Sequence, residues 1–354
     1  MPYQVIPTPK KQNYDFIDHI RAIAMIAIVA EHSLGTNPVI GSANYWVNIG
    51  MAQLTKFGTI AFFLLAGFLI GDKFTDYTPG QYLKRRFSNT FGPWLFWSGM
   101  FIVCYMVNLQ VKANMYHDDR FNWDNIWNEI QMVYLYSNYW FIINFMVSIT
   151  LLLVFKKYLY SLKLGLVFLA FTLFYSVNVY FNWVNPAHTT AILGFVFFLW
   201  LGAQLRKNWL AVEGLIKRIP YWLIIVLVAI SYAMAYQEIL MIMARKSAHG
   251  FNTLRFSNIL YSLSVFALLL KVRTFKALDV LQPRQTTFGI YLIHAIIVVF
   301  ATPEILRPLH IEGGTLSLAP FILYNLMLVI LNYSITWLLV KLINYTRSKR
   351  LVGN

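Results

Sequence analysis

The sequence predicts an all-α integral membrane protein of about ten transmembrane helices, with both ends on the cytoplasmic side. Three observations predict it. Apolar runs long enough to cross a bilayer recur along all 354 residues. Charged residues make up only 12% of the chain, about half of what a soluble domain uses to solvate its surface. The positive charge sits in short clusters between the runs, the pattern that membrane topology imposes on lysine and arginine.

A crossing needs about 20 mostly apolar residues. On that measure the spans fall at 17–34, 52–71, 91–110, 138–155, 164–182, 188–205, 220–240, 255–271, 285–303 and 318–341. The fourth begins on polar Tyr139, Trp140 and Asn144. Trp94, Trp97, Trp183 and Trp222 lie near span ends, as interfacial anchors do. Long continuous runs exclude a β-barrel, whose segments are short and alternating. No composition shift, linker or repeat divides the chain, so one membrane domain is expected over 1–354, with short cytoplasmic tails at 1–16 and 342–354. The first span has no signal-peptide exit and holds Arg21, Glu31 and His32, so it is read as retained.

Orientation follows from the basic residues. Most of the 29 lysines and arginines fall on the side of the N-terminus, whereas Asp118, Asp119, Asp124 and Glu129 fall opposite. That asymmetry places both ends inside. The net charge of +15 first suggests nucleic acid, but its division among loops points to the lipid bilayer instead. Cys104 is the single cysteine, which excludes intrachain disulfides and multi-cysteine metal sites. No metal site is expected, because the two histidines within spans, His32 and His294, lie in spans one and nine without a second ligand at helical spacing. His117, His188, His249 and His310 are expected to be surface residues of the outer loops.

Ionisable groups at membrane depth are costly and mark functional candidates. Arg21 and His32 are eleven positions apart, which at about 100° per residue ends about 20° past three full turns. Both therefore lie on one helix face, roughly 16 Å apart along the axis. Such a face suits a long anionic donor at the Arg21 end and acid–base chemistry at the His32 end. Arg21 alone could also snorkel to the interface, and His32 beside Glu31 could be a structural pair. The loop after span two carries Lys84, Arg85 and Arg86, read either as topogenic charge or as a clamp for phosphates. Gly58, Gly67 and Gly71 permit close approach of a helix or an acyl chain.

Several motifs occur in a telling order. Asp18-His-Ile-Arg21-Ala is followed by Glu31-His32, then by Phe62-Phe63-Leu-Leu-Ala66-Gly67-Phe68-Leu69, then by Lys84-Arg85-Arg86 with Pro93. Tyr139-Trp140-Phe141 and Tyr291-Leu-Ile-His294 complete the series. Together they resemble the membrane-bound acyltransferase 3 family over nearly the whole chain, as a stand-alone member without a fused soluble hydrolase-like domain. Ala66 stands where that family usually has serine. Asn89 and Thr90 stand where a second arginine often follows, leaving fewer cations for a donor's phosphates.

The resemblance implies O-acyl transfer, usually of acetyl, from cytoplasmic acyl-CoA to a hydroxyl of an envelope glycan or lipid-linked sugar, in a bacterial cytoplasmic membrane. Acetyl-CoA or another short acyl-CoA is the implied donor. His32 is then the catalytic acid–base group, since imidazole titrates near the operating pH. Glu31 or another carboxylate orients it, although neighbouring helix residues point about 100° apart. Arg21, Lys84, Arg85 and Arg86 are assigned to the donor's phosphates, and Trp140, Tyr291 and His294 to substrate binding. The alternative from a different class is a transporter or exporter of a polysaccharide or lipid-linked sugar. Against it, no pair of broken, Gly/Pro-interrupted spans occupies corresponding halves.

Overall fold

The computed structural model describes residues 14–34, 38–71, 78–245 and 249–354, and among these every regular element is helical. At its centre stands α1 (Asp15–Ser33), packed on three sides by α3, α13 and α15. Ile20, Ala24, Met25, Ile28 and Val29 are all buried, so apolar residues surround its axis and leave only a narrow polar strip.

Helix α2 (Ala43–Thr55) opens on Ser42, whose hydroxyl accepts from the Tyr45 amide, and breaks at Lys56 before α3 (Gly58–Gly71). The second expected span is thus two helices with a lysine at the joint. Helix α4 (Pro79–Arg86) starts with a reciprocal capping box between Thr78 and Gln81 and passes through a π turn, Phe87–Phe91, into α5 (Gly92–Tyr116). After α6 (Trp123–Gln131) a second π turn, Met132–Tyr136, leads by a 48° bend into α7 (Trp140–Val154). Then come α8 (Leu162–Phe181), α9 (Val196–Lys207), α10 (Trp209–Arg218), α11 (Tyr221–Ala244) and α12 (Phe256–Val272). Helix α13 (Pro283–Ile296) continues through a third π turn, Ile297–Ala301, into the short α14 (Thr302–Leu306). Helix α15 (Leu318–Asn344) precedes a closing 3₁₀ turn, Arg347–Val352.

Six helical stretches among the described residues are long and apolar enough to cross a membrane, or seven if the bent pair α6–α7 counts as one. Two departures from expectation have clear causes. The sixth span was placed at 188–205, but the helix begins only at Val196. Its twelve residues reach about 18 Å, short of the roughly 30 Å hydrocarbon core. Apolarity there reflects burial against protein. A Cβ on Gly67 would stand 1.9 Å from the Leu199 carbonyl oxygen, and one on Gly202 would stand 2.1 Å from that of Leu64. Helices α3 and α9 therefore meet backbone to backbone, the close approach that small residues allow inside membranes.

The tail expected at 342–354 is the second departure. Helix α15 runs on to Asn344, and Val352 of the closing turn is buried. The Trp97 indole N–H donates to the Leu351 carbonyl at 2.8 Å, which ties the turn to α5. The other tail, 1–16, lies outside the described residues up to position 13.

The outer surface is what water could not tolerate. Trp222, Ile225, Val226 and Ile230 of α11, and Leu323, Ile330 and Leu342 of α15, all point outward. Exposed apolar bands of this extent mark a lipid-facing surface. Polar side chains turn inward and find partners there. The Asn144 amide donates to the His188 carbonyl at 2.7 Å, and Asn332 donates to the Ser33 hydroxyl at 2.9 Å.

Candidate active site

The narrow polar strip of α1 runs between two cavities. At one end Arg21 donates to Asp18 Oδ1 at 2.7 Å, one helical turn back. The other Asp18 oxygen receives Arg284 at 3.0 Å, so one carboxylate joins α1 to the start of α13. Arg86 comes from α4, steered by a hydrogen bond from its Nε to the Tyr82 hydroxyl at 3.0 Å. These three arginines, with Asn89 and Thr90 of the first π turn, line a cavity of ≈ 390 Å³. Its far wall is apolar, formed by Phe62, Leu65, Leu69 and Phe145. The site can therefore take a ligand that is anionic at one end and greasy at the other.

At the other end a cavity of ≈ 300 Å³ holds His32, Glu31, Lys56, His188 and His249. Glu31 does not reach His32. Its carboxylate takes the Lys56 ammonium at 2.6 Å, a contact made possible by the helix break at that lysine. Trp140 stacks on the His188 ring at 4.5 Å between centroids, and His188 Nε2 lies 3.1 Å from the Thr253 hydroxyl. Burial lowers the pKa of the loop residue His249.

His32 is open to this cavity and its ring centroid lies 5.2 Å from that of His294. His294 is fully buried. Its Nδ1 faces the carbonyl oxygens of Ile290 at 3.0 Å and Tyr291 at 2.8 Å, so Nδ1 must carry the proton. The Nε2 atom is then a bare acceptor, and it has no hydrogen-bond partner among the described residues. A buried acceptor left unsatisfied costs free energy, and such groups occur where chemistry uses them.

The two cavities share Ile28, Phe141 and Tyr291 in their walls. Tyr291 is pinned, its hydroxyl donating to the Asn138 carbonyl at 2.6 Å. Three side chains thus stand between a cationic chamber and a histidine-bearing one.

Comparison with known families gives one result: the description "Acyltransferase domain" of the acyltransferase 3 family fits residues 14–341. The chain belongs to that family. The membership makes it a membrane acyltransferase. No curated protein and no solved structure matches it.

Within this acyltransferase the structure brings together Arg21, Arg86 and Tyr291 around one cavity, and Glu31, His32, Trp140 and Tyr291 around the other, with His294 against His32. It does not bring Lys84 or Arg85 to either. Lys84 faces a separate apolar groove with Phe87 and Met146, and Arg85 is exposed. Sequence reasoning missed Arg284 and Lys56. It also placed His188 and His249 on the surface, whereas both line the His32 cavity because the loops 185–191 and 249–254 fold inward onto each other. A signal for Arg284 existed. Arg284 and Tyr291 are seven positions apart, about 20° short of two turns, so they share a helix face as Arg21 and His32 do.

Proposed function

We propose that this acyltransferase moves a short acyl group, acetyl in the simplest case, from acyl-CoA in the arginine-lined cavity to a sugar hydroxyl in the His32 cavity. The observation that carries this reading is the pair of cavities set end to end along α1 and divided only by Ile28, Phe141 and Tyr291. A thioester arm passing that partition would present its carbonyl to His32 while its phosphates stay with Arg21, Arg86 and Arg284. Guanidinium forks are suited to phosphate oxygens.

The chemistry balances on the residues present. The acceptor hydroxyl gives its proton to His32 as its oxygen bonds to the thioester carbon. The carbon–sulfur bond breaks, and His32 returns the proton to the departing thiolate. His294, locked in one tautomer, offers Nε2 as an acceptor that steadies the His32 ring or the incoming hydroxyl. The Glu31–Lys56 pair keeps the chamber close to neutral, and the Trp140–His188 stack offers the sugar a platform.

The reading includes topology. With the Arg21 end in the cytoplasm, donor and acceptor meet from opposite sides of a bacterial cytoplasmic membrane, and the acceptor is an envelope glycan or a lipid-linked sugar. Ten crossings with both ends inside accord with the clusters of basic residues. The shorter α9 and α12, and the more highly charged α1, would cross within the protein interior, as polar segments must.

The test is acyl transfer by detergent-purified protein from radiolabelled acetyl-CoA to a panel of envelope sugars. Labelled sugar with the wild type supports the reading. Failure of acetyl-CoA to bind at millimolar concentration would sink it. So would sugar movement across proteoliposomes that needs no donor.

A further inference from the structure

Beyond the cationic cavity lies a second chamber that neither sequence motifs nor family membership assigns. It has a volume of ≈ 460 Å³ and is bounded by Ser88, Asn89, Arg350, Gly353 and Asn354. Asn89 and Gly353 also line the arginine-bearing cavity, so the two spaces adjoin through those residues. Gly353 thus lines both spaces, and the closing turn with Asn354 forms a wall of the second.

That wall is docked firmly. Val352 is buried, and the Leu351 carbonyl accepts the Trp97 indole N–H. The Asn354 side-chain amide donates to the Gln285 carbonyl at 2.6 Å and to Asn344 Oδ1 at 2.7 Å. Gly353 has φ +84°, and a Cβ there would stand 2.4 Å from the Phe288 ring. Only glycine reaches this conformation without strain and allows the close contact. Arg350 is exposed at the chamber, and its guanidinium makes no hydrogen bond or ion pair among the described residues.

We infer that residues 347–354 complete the donor site and that Arg350, with Ser88 and Asn89, binds the 3′-phosphate of coenzyme A. This rests on the acyl-CoA reading above and adds to it where each phosphate goes. Coenzyme A carries a diphosphate and, across one ribose, a separate phosphomonoester, so it needs two cationic stations. Arg21, Arg86 and Arg284 make one. Arg350 makes the other, beside Asn89 in the adjoining chamber.

The experiment is an equilibrium titration of the purified full chain with acetyl-CoA and with 3′-dephospho-acetyl-CoA. The wild type should bind the first roughly tenfold to a hundredfold more tightly, the range expected of a charged hydrogen-bonded contact. Arg350→Ala should abolish that preference while leaving the dephospho compound's affinity unchanged, and Arg350→Lys should restore part of it. Equal binding of the two compounds by the wild type overturns the assignment and leaves the acyl-CoA reading standing. The same holds for a preference that survives in Arg350→Ala, the outcome expected if Arg350 instead holds a lipid phosphate. Binding of neither compound by the wild type overturns both.

Discussion

Helices α1 and α13 run side by side and carry the same two residue types in the same order, Arg21 and His32 on one, Arg284 and His294 on the other. They treat them oppositely. In α1 the arginine side chain is 19% exposed and the histidine opens into a cavity. In α13 the arginine side chain is 64% exposed and the histidine is sealed. Each end of the site thus receives one fixed group and one with room to move. On the proposed reading, the fixed arginine would anchor the donor and the freer one would follow it. A fixed histidine sets a tautomer beside one that can turn and exchange protons.

The largest effect should come from the free histidine. His32→Ala should lower acyl transfer by about 10²–10⁴-fold, the usual worth of a general acid–base group, while acetyl-CoA binding stays intact. Loss of binding in that variant would mean that α1 does not separate the two tasks. The fixed histidine should matter next. His294→Asn keeps an amide donor for the Ile290 and Tyr291 carbonyls but removes the outer nitrogen. Turnover should fall roughly tenfold, the cost of one lost acceptor, with an unchanged melting midpoint. A variant as active as the wild type would make His294 a packing residue.

The arginines sharpen the comparison further. Arg21→Ala should weaken acetyl-CoA binding by roughly tenfold or more, as removal of a charged hydrogen bond does. Arg284→Ala should cost less, because solvent screens an exposed charge. The two losses should not add, since both arginines share Asp18. A larger loss at Arg284 would reverse the assignment of anchor and follower. The smallest effect is expected at the partition. Tyr291→Phe leaves the Asn138 carbonyl without its hydroxyl donor and should cost about 1 kcal/mol of stability, visible as a lowered melting midpoint.

The legible part of this molecule was the part whose signal is local. Continuous apolar runs located nearly every long helix, because lipid and helix length impose them directly. Helical arithmetic placed Arg21 and His32 on one face, and the structure sets a cavity at each of them. The illegible part depended on what lies beside what. Residues 188–195 read as a span because a loop packed inside protein is as apolar as one inside lipid. Lys56 reads as an oddity within a run until the helix break aims it at Glu31. His188 and Arg350 reach the cavities by loop and turn geometry that no periodicity encodes. Arg284 belongs in between, since the reasoning applied to span one would have caught it in span nine.

Fully buried Arg255 donates to the Ala235 carbonyl, to Glu238 at 3.3 Å and to Gln53 at 2.6 Å. Glu238 lies on α11 and Arg255 at the start of α12, so the first partners come from the adjacent hairpin and the last from a helix some 200 positions earlier. One guanidinium thus ties three helices together. A buried arginine deprived of its carboxylate costs roughly 3–5 kcal/mol, so parting α11 from α12 carries a heavy penalty. The same group reaches α2 through Gln53, so the hairpin and the helix before the Lys56 break share one rivet.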